Sequence, residues 1–131
     1  MIRWRGFLLG AVTFLSTHGA LAVGWSRWFD PSGVHRVWFL NSGRAVACTT
    51  ITLSTVSAVV AATGTRTPRD RMAEGIAFAT GAIAAMAAVL FAGEAGTIFP
   101  VVLAVGAIIA LAAGVGGALA GGALRAGVSG R

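Results

Sequence analysis

The chain of 131 residues has no lysine, no tyrosine, one cysteine, three prolines and only four acidic residues. Each shortage closes a class of function. Without lysine there is no Schiff-base amine and no P-loop lysine for a phosphate, and without tyrosine no phenol for acid–base work. Cys48 alone cannot form an intrachain disulfide. Charged residues make up 11%, against about 25% in soluble domains. Apolar residues make up 56%. This composition excludes an ordinary water-soluble domain and a disordered tail. It also excludes a nucleic-acid-binding domain, despite a formal net charge of +6 carried entirely by arginine.

What is present is a set of long uncharged runs. Arg5 to Arg27, Arg44 to Arg66, Glu74 to Glu94 and Glu94 to Arg125 each bracket a stretch without formal charge, and a helix crossing the hydrocarbon needs about 20 apolar residues. The spacing predicts four transmembrane helices over 6–24, 45–62, 75–92 and 98–120. Barrel strands would alternate apolar and polar residues, and Ala82 to Phe91 do not. A lone hairpin would also leave its edges unpaired in lipid. The expected fold is therefore all-α, an integral membrane bundle of four helices forming a single domain.

Orientation follows from arginine, because basic residues near helix ends stay in the cytoplasm. With the N-terminus inside, Arg3, Arg5, Arg66, Arg69, Arg71, Arg125 and Arg131 are cytoplasmic and Arg27, Arg36 and Arg44 lie outside. Both termini are then cytoplasmic, and the positive charge needs no polyanionic partner. Trp4 and Trp25 stand 21 positions apart, about 32 Å along a helix, and mark the two interfaces of the first span. Trp28 and Trp38 add anchors at the outer surface. The first segment also matches a secretory signal, with Met1 to Arg5 basic, Gly6 to Leu15 apolar and Ala20-Leu21-Ala22 as a cleavage site. The apolar run continues through Val23 to Trp25, which favours retention. The expected setting is a bacterial or archaeal cytoplasmic membrane.

Asp30-Pro31 reads as an N-cap and first helical position. It opens an amphipathic outer-face segment over about 31–44, with Val34, Val37, Trp38 and Leu40 toward lipid and His35, Arg36 and Asn41 toward water. This segment either anchors the second helix or docks a partner. Thr67 and Asp70 bracket Pro68 as a capping box that starts the third helix. Asp70 and Glu74 are expected to serve the positive end of that helix dipole. The short loop from Gly93 to Pro100 predicts an antiparallel pair of third and fourth helices.

Small residues recur at intervals of four. The fourth span carries Gly106, Ala110, Gly114, Ala118 and Gly122 in one row and Ala113, Gly117 and Gly121 in another, while Ala73, Ala77, Gly81 and Ala85 form a row in the third. Such rows let backbones approach closely in lipid. One row suffices within the monomer, so the second row of the fourth helix is expected to contact another copy or another subunit. The competing explanation is that Gly and Ala recur by composition alone.

Polar groups at membrane depth are few. On the second span, Cys48, Thr52 and Thr55 share one helical face, and Thr50, Ser54 and Ser57 share nearly the opposite one. These hydroxyls can bond to the preceding turn or line a solute path. His18 is the titratable group deepest in a span, and by depth it could join Cys48, Thr49 or Thr52, and Glu94 in a candidate site for a proton, a cation or a metal. The alternative is a neutral His18 bonded to a carbonyl or hydroxyl. One His, one Cys and one Glu fall short of a closed four-ligand zinc site unless another chain contributes, and His35 lies at another depth, so no metal, haem or other cofactor is expected. Gly114-Val115-Gly116 lacks the third glycine of a dinucleotide loop, where Leu119 stands, and no G-x-S-x-G frame occurs.

The expected function is a structural or accessory membrane subunit. Its partners would be the lipid bilayer and other transmembrane helices, in a homo-oligomer or a larger complex, with no nucleic acid. The alternative is an oligomeric channel or transporter using the hydroxyl-rich second helix and His18. An enzyme would need chemistry from another chain or a cofactor, and no catalytic residue is assigned.

Overall fold

A computed structural model of the chain describes residues 4–28, 43–64, 67–92 and 99–129. They form four α-helices: α1 (Trp4–Trp28), α2 (Gly43–Gly64), α3 (Pro68–Ala92) and α4 (Phe99–Ser129). All four contain a stretch long and apolar enough to cross a membrane. Trp38, Glu94 and segment 31–42 lie outside the described residues, as do the side chains of Trp25 and Trp28.

Local chemistry explains the helices. At the start of α3 the Thr67 hydroxyl accepts from the Asp70 N–H at 3.2 Å and donates to Asp70 Oδ2 at 2.7 Å. Pro68 follows in the first helical position, where a missing N–H costs nothing. The β-branched residues of α2 are poor helix formers in water; in an apolar surrounding, internal backbone bonding would decide the conformation. Helix α4 runs nine residues past the expected limit at Ala120. Gly121 and Gly122 resemble a terminating signal, yet both are buried against neighbouring helices and α4 continues to Ser129.

The helices form a ring in the order α1, α3, α4, α2. Three of its contacts are extensive, α2 with α4, α4 with α3 and α3 with α1; the α1–α2 seam is thin and α1 does not meet α4 among the described residues. The extensive interfaces are built on small residues. A Cβ on Gly10 would overlap the Phe78 carbonyl and one on Gly81 the Phe7 carbonyl, so α1 and α3 cross backbone to backbone. Between α4 and α3, a Cβ on Gly75 would lie 2.8 Å from the Gly114 oxygen, and one on Gly114 2.8 Å from the Gly75 oxygen. Gly106 meets Met86 and Gly122 meets Arg71 along the same antiparallel seam. Gly117 packs on the Ser54 backbone and Gly121 on that of Ala58, so α2 and α4 run in the same direction.

Both small-residue rows of α4 are therefore occupied within the chain. The expectation that the second row is free for another copy is corrected: α4 sits between two neighbours and needs one row for each. Ala110, Gly114 and Ala118 are buried on the α3 side, and Ala113, Gly117 and Gly121 on the α2 side.

Phe14, Leu53, Phe78, Ala82, Ala85, Ala110 and Ala113 make one buried apolar cluster, with Phe78 its largest fully buried side chain. The outside is the reverse of a water-soluble bundle. Alanine and glycine fill the interior, whereas Val23, Ile51, Phe91, Val101, Ile108, Leu124 and Val128 stand more than half exposed. Burying such a side chain is worth about 1.5–3 kcal/mol in water, so a soluble protein would turn these inward. This distribution suits an apolar surrounding, in which burying leucine-sized side chains brings no gain.

Candidate functional site

Among the described residues, the polar side chains are spread over the helices rather than gathered in one pocket. On α1, His18 is half-buried and its ring stacks on Phe14 one turn earlier, with centroids 5.5 Å apart and planes 22° apart. Phe14 belongs to the apolar cluster, so the imidazole is steadied by an aromatic face. Cys48 is exposed on α2. Thr49 donates to the Ala45 carbonyl at 2.9 Å and Thr52 to the Cys48 carbonyl at 2.8 Å. Glu94 lies outside the described residues. Among the described residues no three His, Cys, Asp or Glu side chains are placed together to hold a metal ion.

The hydroxyls of α2 have two roles, and these do not divide by stripe. Thr50, Thr52, Thr55 and Thr63 each donate to a carbonyl one turn back, at 2.7–2.9 Å. Thr13, Thr17 and Thr80 do the same on α1 and α3. Ser57 instead reaches across the bundle: it is buried, and its hydroxyl donates to the Gly114 carbonyl of α4 at 2.6 Å. That bond lies in the same seam in which Ser54 meets Gly117 and Ala58 meets Gly121.

A second set of polar groups lies at the end where α1 and α3 begin and α4 finishes. Glu74 is only 8% exposed, and its Oε1 sits 2.9 Å from where a Gly6 Cβ would stand. Asp70 serves the helix cap, as expected. Glu74 is one turn further along and faces the glycine gap in α1 instead of solvent at the helix terminus. Arg71 lies in the groove between α3 and α4, with its Cδ, Nε and Nη1 against Gly122. Its Nε is buried with no hydrogen-bond partner among the described residues.

The remaining feature is the outer face of α4. Ala112, Gly116, Ala120, Ala123 and Gly127 are all exposed, and a Cβ on Gly116 or Gly127 would meet nothing within 4 Å. At 100° per residue Gly116 lies about 200° from Gly114, opposite the face that meets α3. A third small-residue stripe thus runs along α4 with no occupant among the described residues.

Trp4 is exposed, 62%, and packs edge to face on Phe7 at 5.7 Å, a geometry open to an interfacial anchor. Ala77, Gly81 and Ala85 all contribute to the inner faces of α3, Ala77 by facing Gly6. Two of these features have a signal in the sequence. Gly6-Phe7-Leu8-Leu9-Gly10 is a literal G-x-x-x-G motif and forms half of the α1–α3 crossing. The spacing Ala112, Gly116, Ala120 repeats the interval of four already noted for its neighbours. The seat of Arg71 had no sequence signal beyond the antiparallel pairing that brings residue 71 opposite residue 122.

Comparison with known proteins finds no matching family model and no significantly similar curated protein or solved structure.

Proposed function

We propose that the chain is a small integral membrane protein that threads a bacterial or archaeal cytoplasmic membrane four times. In this proposal both ends are cytoplasmic, and it acts as a structural or accessory subunit by packing the outer face of α4 against another transmembrane helix. The membrane setting is supported by the inside-out distribution of large and small side chains. The orientation is supported by arginine, since the helix directions put Arg5, Arg69, Arg71 and Arg125 at one end and Arg27 and Arg44 at the other, and the richer end belongs inside.

The observation that carries the subunit role is the open space at Gly116. Gly114, Gly117 and Gly121 each meet the backbone of a neighbouring helix, and here small residues at a similar interval on the same helix are bare. A flat strip of this kind gains dispersion contacts only when a second helix lies on it. A solute path would require hydroxyls directed into a common lumen. The threonines of α2 donate to their own helix, and the bundle centre is apolar.

The test is native mass spectrometry of the full chain after mild detergent extraction from its host, for wild type and Gly116→Leu. The expected result is a complex, with a second copy or another gene product, that dissociates in the variant while helical content is unchanged. A wild-type protein that emerges as a lone monomer contradicts the proposal.

A further inference from the structure

The arginine-rich end of the bundle carries an arrangement that helix packing does not require. Among the described residues it holds Arg5, Arg69, Arg71 and Arg125 against two carboxylates, Asp70 and Glu74, so two anions face four guanidinium groups. One of those anions accepts from the Thr67 hydroxyl in the helix cap and the other is buried against Gly6. Arg71 is the guanidinium drawn inward. Gly122 provides its seat, because a Cβ there would lie 2.6 Å from Nε and overlap Cδ. The buried Nε–H has no acceptor among the described residues, and a buried donor left unpaired costs about 1–3 kcal/mol, more when charged. Arg125 follows Gly122 by three residues and so lies on the same side of α4, toward the start of α3.

We propose that this groove between α3 and α4 binds a phosphate oxyanion, with Arg71 as the planar fork. A guanidinium matches phosphate oxygens in paired hydrogen bonds, and a bound oxyanion supplies the acceptor that Nε lacks. Basic grooves between membrane helices on the cytoplasmic side suit anionic headgroups. Met72, next to Arg71 in sequence, is exposed and apolar on α3, which provides surface for an acyl chain beside the charge. The same chemistry would hold free phosphate. The inference is independent of what covers the outer face of α4.

The test is native mass spectrometry of the full chain titrated with phosphatidylglycerol and, separately, with inorganic phosphate, for wild type, Arg71→Gln, Gly122→Ala and Arg69→Gln. Wild type should retain one phosphate-bearing ligand per chain. Arg71→Gln should weaken it at least about tenfold, the loss of one charge-assisted hydrogen bond. Gly122→Ala should weaken it by displacing the guanidinium, and Arg69→Gln, exposed at the same end, should leave it unchanged. Retained phosphatidylglycerol that inorganic phosphate fails to displace assigns the site to lipid; binding of inorganic phosphate without lipid assigns it to the soluble anion. Should Arg71→Gln fail to accumulate, Arg71→Lys, which keeps the charge and loses the fork, carries the same comparison. No retained ligand in wild type, equal losses in Arg71→Gln and Arg69→Gln, or full binding in Gly122→Ala would overturn the proposal.

Discussion

Helix α4 presents small residues on its inner and outer sides, and the two sides have opposite fates. Inward, Gly114, Gly117 and Gly121 lie so close to Gly75, Ser54 and Ala58 that a methyl group would strike backbone. Outward, Gly116 and Gly127 have empty space where the methyl would go. Residue type, spacing and helix are the same, so neither composition nor interval decides which glycine is structural. What decides is whether a neighbouring backbone occupies the groove, and that depends on the order of helices around the bundle.

The sharpest way to break this contrast is one bulky substitution made at a closed and an open site. Gly81→Leu, at the α1–α3 crossing, should cost about 3 kcal/mol, the upper range of overpacking. Gly116→Leu should leave the fold within about 0.5 kcal/mol, as for exposed positions generally. Both are measurable by reversible unfolding in mixed detergent, and equal losses would erase the distinction between the two faces. Alanine gives a change of sign. Gly121→Ala should destabilise by roughly 1–2 kcal/mol, because the overlap with the Ala58 carbonyl outweighs the gain in helix propensity. Gly127→Ala should stabilise by up to about 1 kcal/mol, since propensity acts there unopposed.

Smaller effects sharpen the account of the polar groups. Thr67→Ala removes the acceptor for the Asp70 N–H and should cost about 1 kcal/mol, with fraying confined to the first turn of α3. Hydrogen exchange at Asp70 and Arg71 would show it, and protection unchanged there would mean that the cap is idle. Ser57→Ala removes the interhelical bond to Gly114 and should cost about 0.6 kcal/mol, the average for such bonds in lipid. Thr55→Ala, which removes only a bond to its own helix, should cost less. The reverse order would show that the Ser57 bond does not hold the α2–α4 seam.

Much of this architecture was legible from charge alone. The uncharged runs between Arg5, Arg27, Arg44, Arg66, Glu74, Glu94 and Arg125 located four long apolar helices, because formal charge is the most expensive cargo for a membrane crossing. Thr67 and Asp70 located the start of α3, since a capping box is a local device. The assignment of small-residue rows to partners was not legible: α4 offers three rows of like composition, and only the ring order shows that two face its own chain. Glu74 illustrates the same limit. Its place in the second turn of α3 suggested a dipole partner, yet Gly6, sixty-eight positions away in sequence, opens the space that buries it. The candidate set of His18, Cys48, Thr49, Thr52 and Glu94 rested on equal depth alone, and equal depth does not say which way a side chain points. Cys48 is exposed, Thr49 and Thr52 are bonded to their own helix, and His18 stacks on Phe14.

The most direct test of the claim that α4 turns its small rows toward its own chain is oxidative cross-linking in native membranes. The variant is Met86→Cys/Gly106→Cys in a Cys48→Ala background. An added Cβ at residue 106 meets only the Met86 side chain, which the substitution removes, and the Met86 Cγ, where a cysteine sulfur would sit, stands 4.0 Å from it, a small adjustment from disulfide geometry. The account predicts an intrachain bond that forms readily at monomer mobility. Cross-linked dimers joined through residue 106, or no bond at all, would place that row on the outside of the bundle and contradict it.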